Sequence, residues 1–145
     1  MHLRDIFQPD SVLLDLQLKS MPHVFEHVSA FASEITGARS GVIAEALMAR
    51  HAQGTLISNR VAVPHARVEG LSRVLAFFIR LRTPIITEQN EEIDMLFILL
   101  APKQADGLHL RSLAEVARLM RDNDFSSHLR NATTRQEIWN LLTQE

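Results

Sequence analysis

Residues 60–70 read RVAVPHARVEG. An apolar run (Val61, Ala62, Val63) meets Pro64, and the next side chain is an imidazole, His65, bracketed by Arg60 and Arg67. A neutral imidazole, with an ordinary pKa of about 6.5, is mostly unprotonated at neutral pH and can attack phosphorus without a separate base. The phosphoramidate formed carries negative charge, which guanidinium groups or helix N-terminal amides stabilise. Arg50, Arg60 and Arg67 could supply the guanidinium. A second histidine, His109, opens the helical stretch after the most apolar strand, where its ring and free backbone N–H groups could face a phosphate. The bland alternative for His65 is a hydrogen-bonded turn histidine after a strand.

Other patterns that could do chemistry lead nowhere. HVFEH, from His23 to His27, has the H-x-x-E-H form, and histidines four apart share a helical face that could grip zinc. Only three positions are specified, however, and no downstream helix offers an obvious glutamate as third ligand, so the reading is a solvated helix face. Ser58 lacks a G-x-S-x-G elbow, and the chain has neither a P-loop nor a G-x-G-x-x-G run. The absence of cysteine excludes disulfides, thiol chemistry and cysteine-based zinc sites. It also fits a reducing cytosol.

The bulk properties set the frame. The chain has 145 residues, 46% of them hydrophobic and 22% charged, as in ordinary soluble globular proteins. A net charge of −2, from 15 basic and 17 acidic residues, argues against a general nucleic-acid binder. The N-terminus carries charges within its first residues and shows no apolar signal segment, and no apolar run approaches a membrane span. The expectation is one soluble, cytoplasmic domain over residues 1–145, with no membrane insertion.

These side chains need elements to hold them. SVLLDLQL (11–18) alternates as a strand after a turn-like Pro9-Asp10. Ser20 is placed to cap a helix that has Pro22 in its first turn, and Val24, Phe25, Val28, Phe31, Ala32 and Ile35 follow helical spacing to Gly37. Ser40 opens a second helix ending near Arg50, and AQGTLISN reads as a loop. Three strands follow: 60–64, 73–81 and the nearly all-apolar 92–102, expected to be central and covered on both faces. Three helices close the chain, the last capped by Thr133 or Thr134. The order β-αα-βββ-ααα predicts an α/β fold, a mixed sheet with helices on both faces.

The string ARHAQGTLISNRVAVPHARVEG, followed by FIRLRTPI, DMLFILLAP and HLRSLAEVARLMRD, resembles the enzyme IIA domain of the bacterial phosphoenolpyruvate-dependent sugar phosphotransferase system. The resemblance is to the fructose/mannitol class, nearest its nitrogen-regulatory type, and runs over nearly the whole chain. It implies a three-layer α/β/α fold with a central mixed sheet. It implies that His65 is phosphorylated by a phosphohistidine carrier protein (HPr-like), that His109 lies near it and helps hold the phosphoryl group, and that Arg50 points at the phosphate. It implies no metal and no organic cofactor. For the downstream partner it implies a regulated protein or a IIB component. The chain departs from the family in its loop: Ser58 and Arg60 stand where glycines are usual, and Ala66 replaces the glycine after the histidine. Three readings stand: a stand-alone phosphoryl-relay regulator, the IIA subunit of a sugar permease, and an interaction module that no longer transfers phosphate. Arg60 either joins the phosphate shell or turns to solvent.

Overall fold

A computed structural model describes residues 3–104 and 107–144, apart from the side chains of Leu108 and His109. A short 3-10 turn (Leu3–Asp5) leads into β1 (Phe7–Leu16), followed by α1 (Met21–Thr36) and α2 (Ser40–Ala52). Next come β2 (Leu56–Ser58), β3 (Val61–Val63), β4 (His65–Val68), β5 (Leu75–Ile86) and β6 (Glu92–Pro102). The chain ends in α3 (Gly107–Met120), α4 (Asn123–Asn131) and α5 (Arg135–Thr143). The sheet order is β1-β5-β6-β3-β2, with β4 also on β6. β1 pairs with β5 in parallel, β5 with β6 antiparallel, and both β3 and β4 with β6 in parallel, so the sheet is mixed as expected.

From Ile93 to Ala101, β6 is apolar at every position but Asp94, and its apolar side chains are fully buried. Such a run requires cover on both faces. Leu96, Ile98 and Leu100 pack with Val24, Phe25, Val28, Ile43 and Leu47 of α1 and α2. Met95, Phe97, Leu99 and Ala101 pack with Val116, Met120, Leu129, Ile138 and Leu142 of α3 to α5. The result is three layers with the sheet in the middle.

The helix signals hold. Ser20 Oγ accepts the His23 N–H at 3.2 Å, and Pro22 occupies the first turn, where a missing donor does no harm. Gly37, at φ 78°, ends α1 in the left-handed conformation that glycine adopts freely. Thr134 caps α5 by accepting the Glu137 N–H at 3.1 Å.

The strands differ from expectation in the length of β5, which runs to Ile86 rather than ending at residue 81, and in three further places. Pro9-Asp10 is not a turn but lies inside β1, which starts at Phe7; β1 is an edge strand with a register shift between Phe7 and Val12, where proline is tolerated. The supposed loop before residue 60 contains β2, which forms a hairpin with β3 through Asn59 and Arg60. And the strand through Val63 does not stop at Pro64: it continues as β4 to Val68.

That hairpin turn explains Arg60. Asn59 and Arg60 have φ of 54° and 62°, the double left-handed geometry of a two-residue turn that favours Asn-Gly. An arginine in the glycine position is strained by about 1 kcal/mol, and its neighbours hold it there. The Arg60 carbonyl accepts the Asp94 N–H at 3.0 Å, and its guanidinium lies 3.5 Å from the Asp94 carboxylate. Arg130 of α4 grips the same carboxylate with Nε at 2.9 Å and Nη2 at 3.0 Å, and also bonds the Asn59 carbonyl. Asp94, the one charge between Ile93 and Ala101, therefore ties the hairpin and α4 to β6. Asp94→Ala is expected to destabilise the protein by about 2–3 kcal/mol in urea unfolding, because it strips a part-buried Arg130 of its charged acceptor. A loss below about 0.5 kcal/mol, the range of an exposed pair, would contradict this role.

Candidate functional site

β3 and β4 are one strand in two pieces. Ala62 lies opposite Leu96 and His65 opposite Leu99, the same register on both sides of Pro64. The Pro64 carbonyl still accepts the Leu99 N–H at 3.0 Å, so only the ladder bond that its missing N–H would have made is lost. β2 pairs with β3 from Leu56 opposite Val63 onward and does not extend beside β4. His65 therefore sits where an interior strand becomes an edge strand, not at a strand tip as its position after Pro64 suggested.

Alternation gives the facing. Ala62, Ala66 and Val68 pack on the α1–α2 side, and Val61 and Val63 on the α3–α5 side, which is also the side of His65 and Arg67. The His65 ring is half-buried, and its Nδ1 lies 3.0 Å from the Val63 carbonyl oxygen. A carbonyl can only accept, so Nδ1 carries the hydrogen and the lone pair is on Nε2. Burial pushes the imidazole pKa below its ordinary value; the Val63 bond pulls it back up, and the Arg50 charge lowers it further. Protonation of the ring is thus disfavoured, and its lone pair is directed to Nε2.

The three arginines part company. Arg50, in the last turn of α2, donates from Nη1 to the Gly54 carbonyl at 3.0 Å, and no carboxylate among the described residues pairs with it. It is the arginine whose charge acts on His65. Arg60 is taken up by Asp94 at the far end of β3, so of the two roles open to it the structure gives neither solvent alone nor the neighbourhood of His65. Arg67 is exposed on β4. His109 lies in the first turn of α3, which begins just beyond the end of β6, where the parallel β4 also ends. Its side chain lies outside the described residues, so the expected approach to His65 stays an expectation.

The remaining candidates are accounted for. His23 Nδ1 accepts the Lys19 N–H at 3.3 Å, so this ring closes the start of α1. Among the described residues, no group of three or more His, Asp or Glu side chains could hold a metal ion. Two groups that shape the site escaped the sequence reading: the carbonyls of Val63 and Gly54. Backbone acceptors have no signature in residue type. The signal for Asp94 was present, as a lone acid in an otherwise apolar run.

The chain matches the family model described as "Phosphoenolpyruvate-dependent sugar phosphotransferase system, EIIA 2" over residues 5–145. It is 34% identical over 145 residues to a protein of Bradyrhizobium diazoefficiens named nitrogen regulatory protein, covering 98% of this chain and 95% of that one. The crystal structure of nitrogen regulatory protein IIA-Ntr from Neisseria meningitidis superposes with a TM-score of 0.88 at 26% identity, covering 96% of this chain and 97% of that one. The enzyme IIA of the Escherichia coli mannitol system, solved in complex with phosphorylated mannitol enzyme IIB, shares the fold with a TM-score of 0.80 at 11% identity, over 97% of this chain and 100% of that one. No helix among the described residues is long and apolar enough to cross a membrane.

The geometry predicts how His65 titrates. In an NMR titration its midpoint is expected below the ordinary 6.5, and Arg50→Ala should raise it without restoring it fully, since burial is the larger cause. The sign for stability follows. Below about pH 6.5 the unfolded chain binds a proton that the folded ring resists, so this site destabilises the fold progressively as pH falls through that window. A midpoint at or above 6.5 would show that burial does not govern the ring.

Proposed function

Because the chain belongs to the EIIA 2 family of the phosphoenolpyruvate-dependent sugar phosphotransferase system, we propose that it is a cytoplasmic phosphoryl-relay regulator that accepts a phosphoryl group on His65 from an HPr-like phosphocarrier. The observation that supports the reading is the bond from His65 Nδ1 to the Val63 carbonyl, because it leaves the lone pair on Nε2 for attack. Nε2 attacks phosphorus in line, the new P–N bond forms as the carrier's P–N bond breaks, and the carrier imidazole leaves with the electron pair. The His65 ring then gains positive character, and its Nδ1–H bond to Val63 strengthens. The reaction asks for little covalent help from the protein. Positioning and charge stabilisation suffice.

Arg50 supplies the charge. With no carboxylate partner among the described residues, its guanidinium retains a field that disfavours protonation of His65 and favours an incoming phosphoryl group. His109 donates from its ring to the bound phosphate, with the first-turn amides of α3 beside it. Arg60, engaged by Asp94, takes no part. The regulatory reading draws on the relatives named nitrogen regulatory protein: the phosphorylated and free forms of His65 present different surfaces to a partner protein. In the permease alternative the phosphoryl group passes instead to a IIB component, the partner present in the mannitol complex.

The test is incubation with phosphoenolpyruvate, enzyme I and the carrier, followed by mass spectrometry for an acid-labile, base-stable phosphoryl increment. His65→Ala should abolish it and leave the fold intact; full labelling of that variant would sink the assignment. His109→Ala should slow transfer or shorten the life of the phosphorylated form while still allowing labelling. Arg50→Ala should lower the acceptance rate tenfold or more, on the order of 1.4 kcal/mol, whereas Arg60→Gly changes it little. A larger loss for Arg60→Gly than for Arg50→Ala would overturn the division of roles between them.

A further inference from the structure

His51 follows Arg50, yet the proposed reaction gives it no part. Its ring is half-buried and stands edge-on to Phe25 of α1, with centroids 5.5 Å apart and planes at 73°. Its Nδ1 shares a 2.5 Å hydrogen bond with Thr55 Oγ1. In the same turn of chain, Arg50 Nη1 donates to the Gly54 carbonyl at 3.0 Å and the Gly54 N–H donates to the His51 carbonyl at 3.0 Å. Gly54 has φ of 112°, a backbone conformation that side-chain-bearing residues rarely adopt. Two adjacent residues at the end of α2 thus clamp the turn 53–55 from both sides.

This turn sets the site. Thr55 precedes Leu56, the first residue of β2, and Leu56 pairs with Val63, whose carbonyl holds His65 Nδ1. The path runs from the His51 ring through Thr55, Leu56 and Val63 to the His65 ring, and every link is a hydrogen bond, a peptide bond or a strand pairing. The same turn supplies the Gly54 carbonyl that anchors the long, otherwise mobile Arg50 side chain.

We infer that His51 is a positioning residue for phosphoryl acceptance, holding the turn 53–55 so that Arg50 and the Val63 carbonyl keep their places around His65. The inference rests on His65 being the phosphoryl acceptor. A site residue works at full rate only when its supports fix it to within a fraction of an ångström, and the hydrogen bond from His51 to Thr55 is a side-chain support on this turn that is independent of Arg50.

The test uses the full chain as His51→Ala, His51→Gln, Thr55→Val and the His51→Ala/Thr55→Val double variant. Two quantities are measured on each. One is the rate of phosphoryl acceptance at saturating carrier. The other is the ¹⁵N signature of the His65 ring in unphosphorylated protein, which reports the proton on Nδ1. His51→Ala and Thr55→Val should each lower the saturating rate about three- to tenfold, the worth of one hydrogen bond, and weaken the Nδ1–H signature. The double variant should lose no more than the worse single one, and His51→Gln, which keeps a side-chain amide for Thr55, should recover part of the rate. Losses that multiply in the double variant would overturn the proposal, as would an unchanged His65 signature in both single variants. If His51→Ala does not fold, Thr55→Val decides by the same two readings. Absence of labelling in the wild type would refute the acceptor role of His65, while the ring signatures would still show whether His51 positions it.

Discussion

The constraint on which the site depends is the unbroken register of residues 61–68 along the central strand. Parallel pairing fixes Ala62 opposite Leu96 and His65 opposite Leu99, and the buried faces of β6 forbid a slip, since moving by one residue would turn core side chains toward the wrong layer. Pro64 removes one ladder bond without breaking this register. β2 stops short at Leu56, which leaves β4 as an edge. A histidine placed there has the paired backbone of β6 on one side and no β2 strand on the other. An interior strand would have buried the ring beyond a partner's reach, and a loop would have left its nitrogen without a fixed direction.

Charge is partitioned by the same geometry. The hairpin that brings β2 beside β3 needs two left-handed residues, and placing arginine at the second puts a cation close to the site strand. Asp94 and Arg130 absorb it: the carboxylate serves both guanidinium groups and the turn is stitched to α4. Arg50 has the opposite fate. It is anchored through a neutral carbonyl at Gly54, which holds its position without cancelling its charge. Position fixed by a carbonyl and charge left unneutralised is what anion stabilisation asks of a guanidinium.

Much of this was legible in the residues. The three-layer fold followed from the change of period between segments and from one strand too apolar to have a wet face. The start of α1 followed from Ser20 and Pro22, and His65 stood out as a candidate from its setting after VAVP and among arginines. Other features were hidden for physical reasons. Continuation through Pro64 was missed because proline usually ends a ladder, and only the register on β6 shows that one lost donor is tolerated. β2 was missed because three residues are too few for a periodic signal, and its turn lacks the glycine that marks such hairpins. Pro9 misled in the same way, since edge strands accept what interior strands do not. The orienting carbonyls of Val63 and Gly54 belong to the backbone, where residue type says nothing.

A histidine that must receive a phosphoryl group faces two opposed demands. It needs electron density on the attacking nitrogen, yet must resist the proton that such density attracts. Here the demands are met on different atoms and by different means. The Val63 carbonyl takes the hydrogen of Nδ1, which enriches the ring and directs its lone pair to Nε2. Burial and the charge of Arg50 act on the ring as a whole and penalise its protonated form. In the proposed reaction Arg50 does not have to change role. The field that disfavours a proton on the ring beforehand would favour the negatively charged group arriving at Nε2, so one anchored cation would serve both the free and the phosphorylated states. A carboxylate beside Arg50 would undo both effects at once; among the described residues none pairs with it, and Asp94 is committed to Arg60 and Arg130.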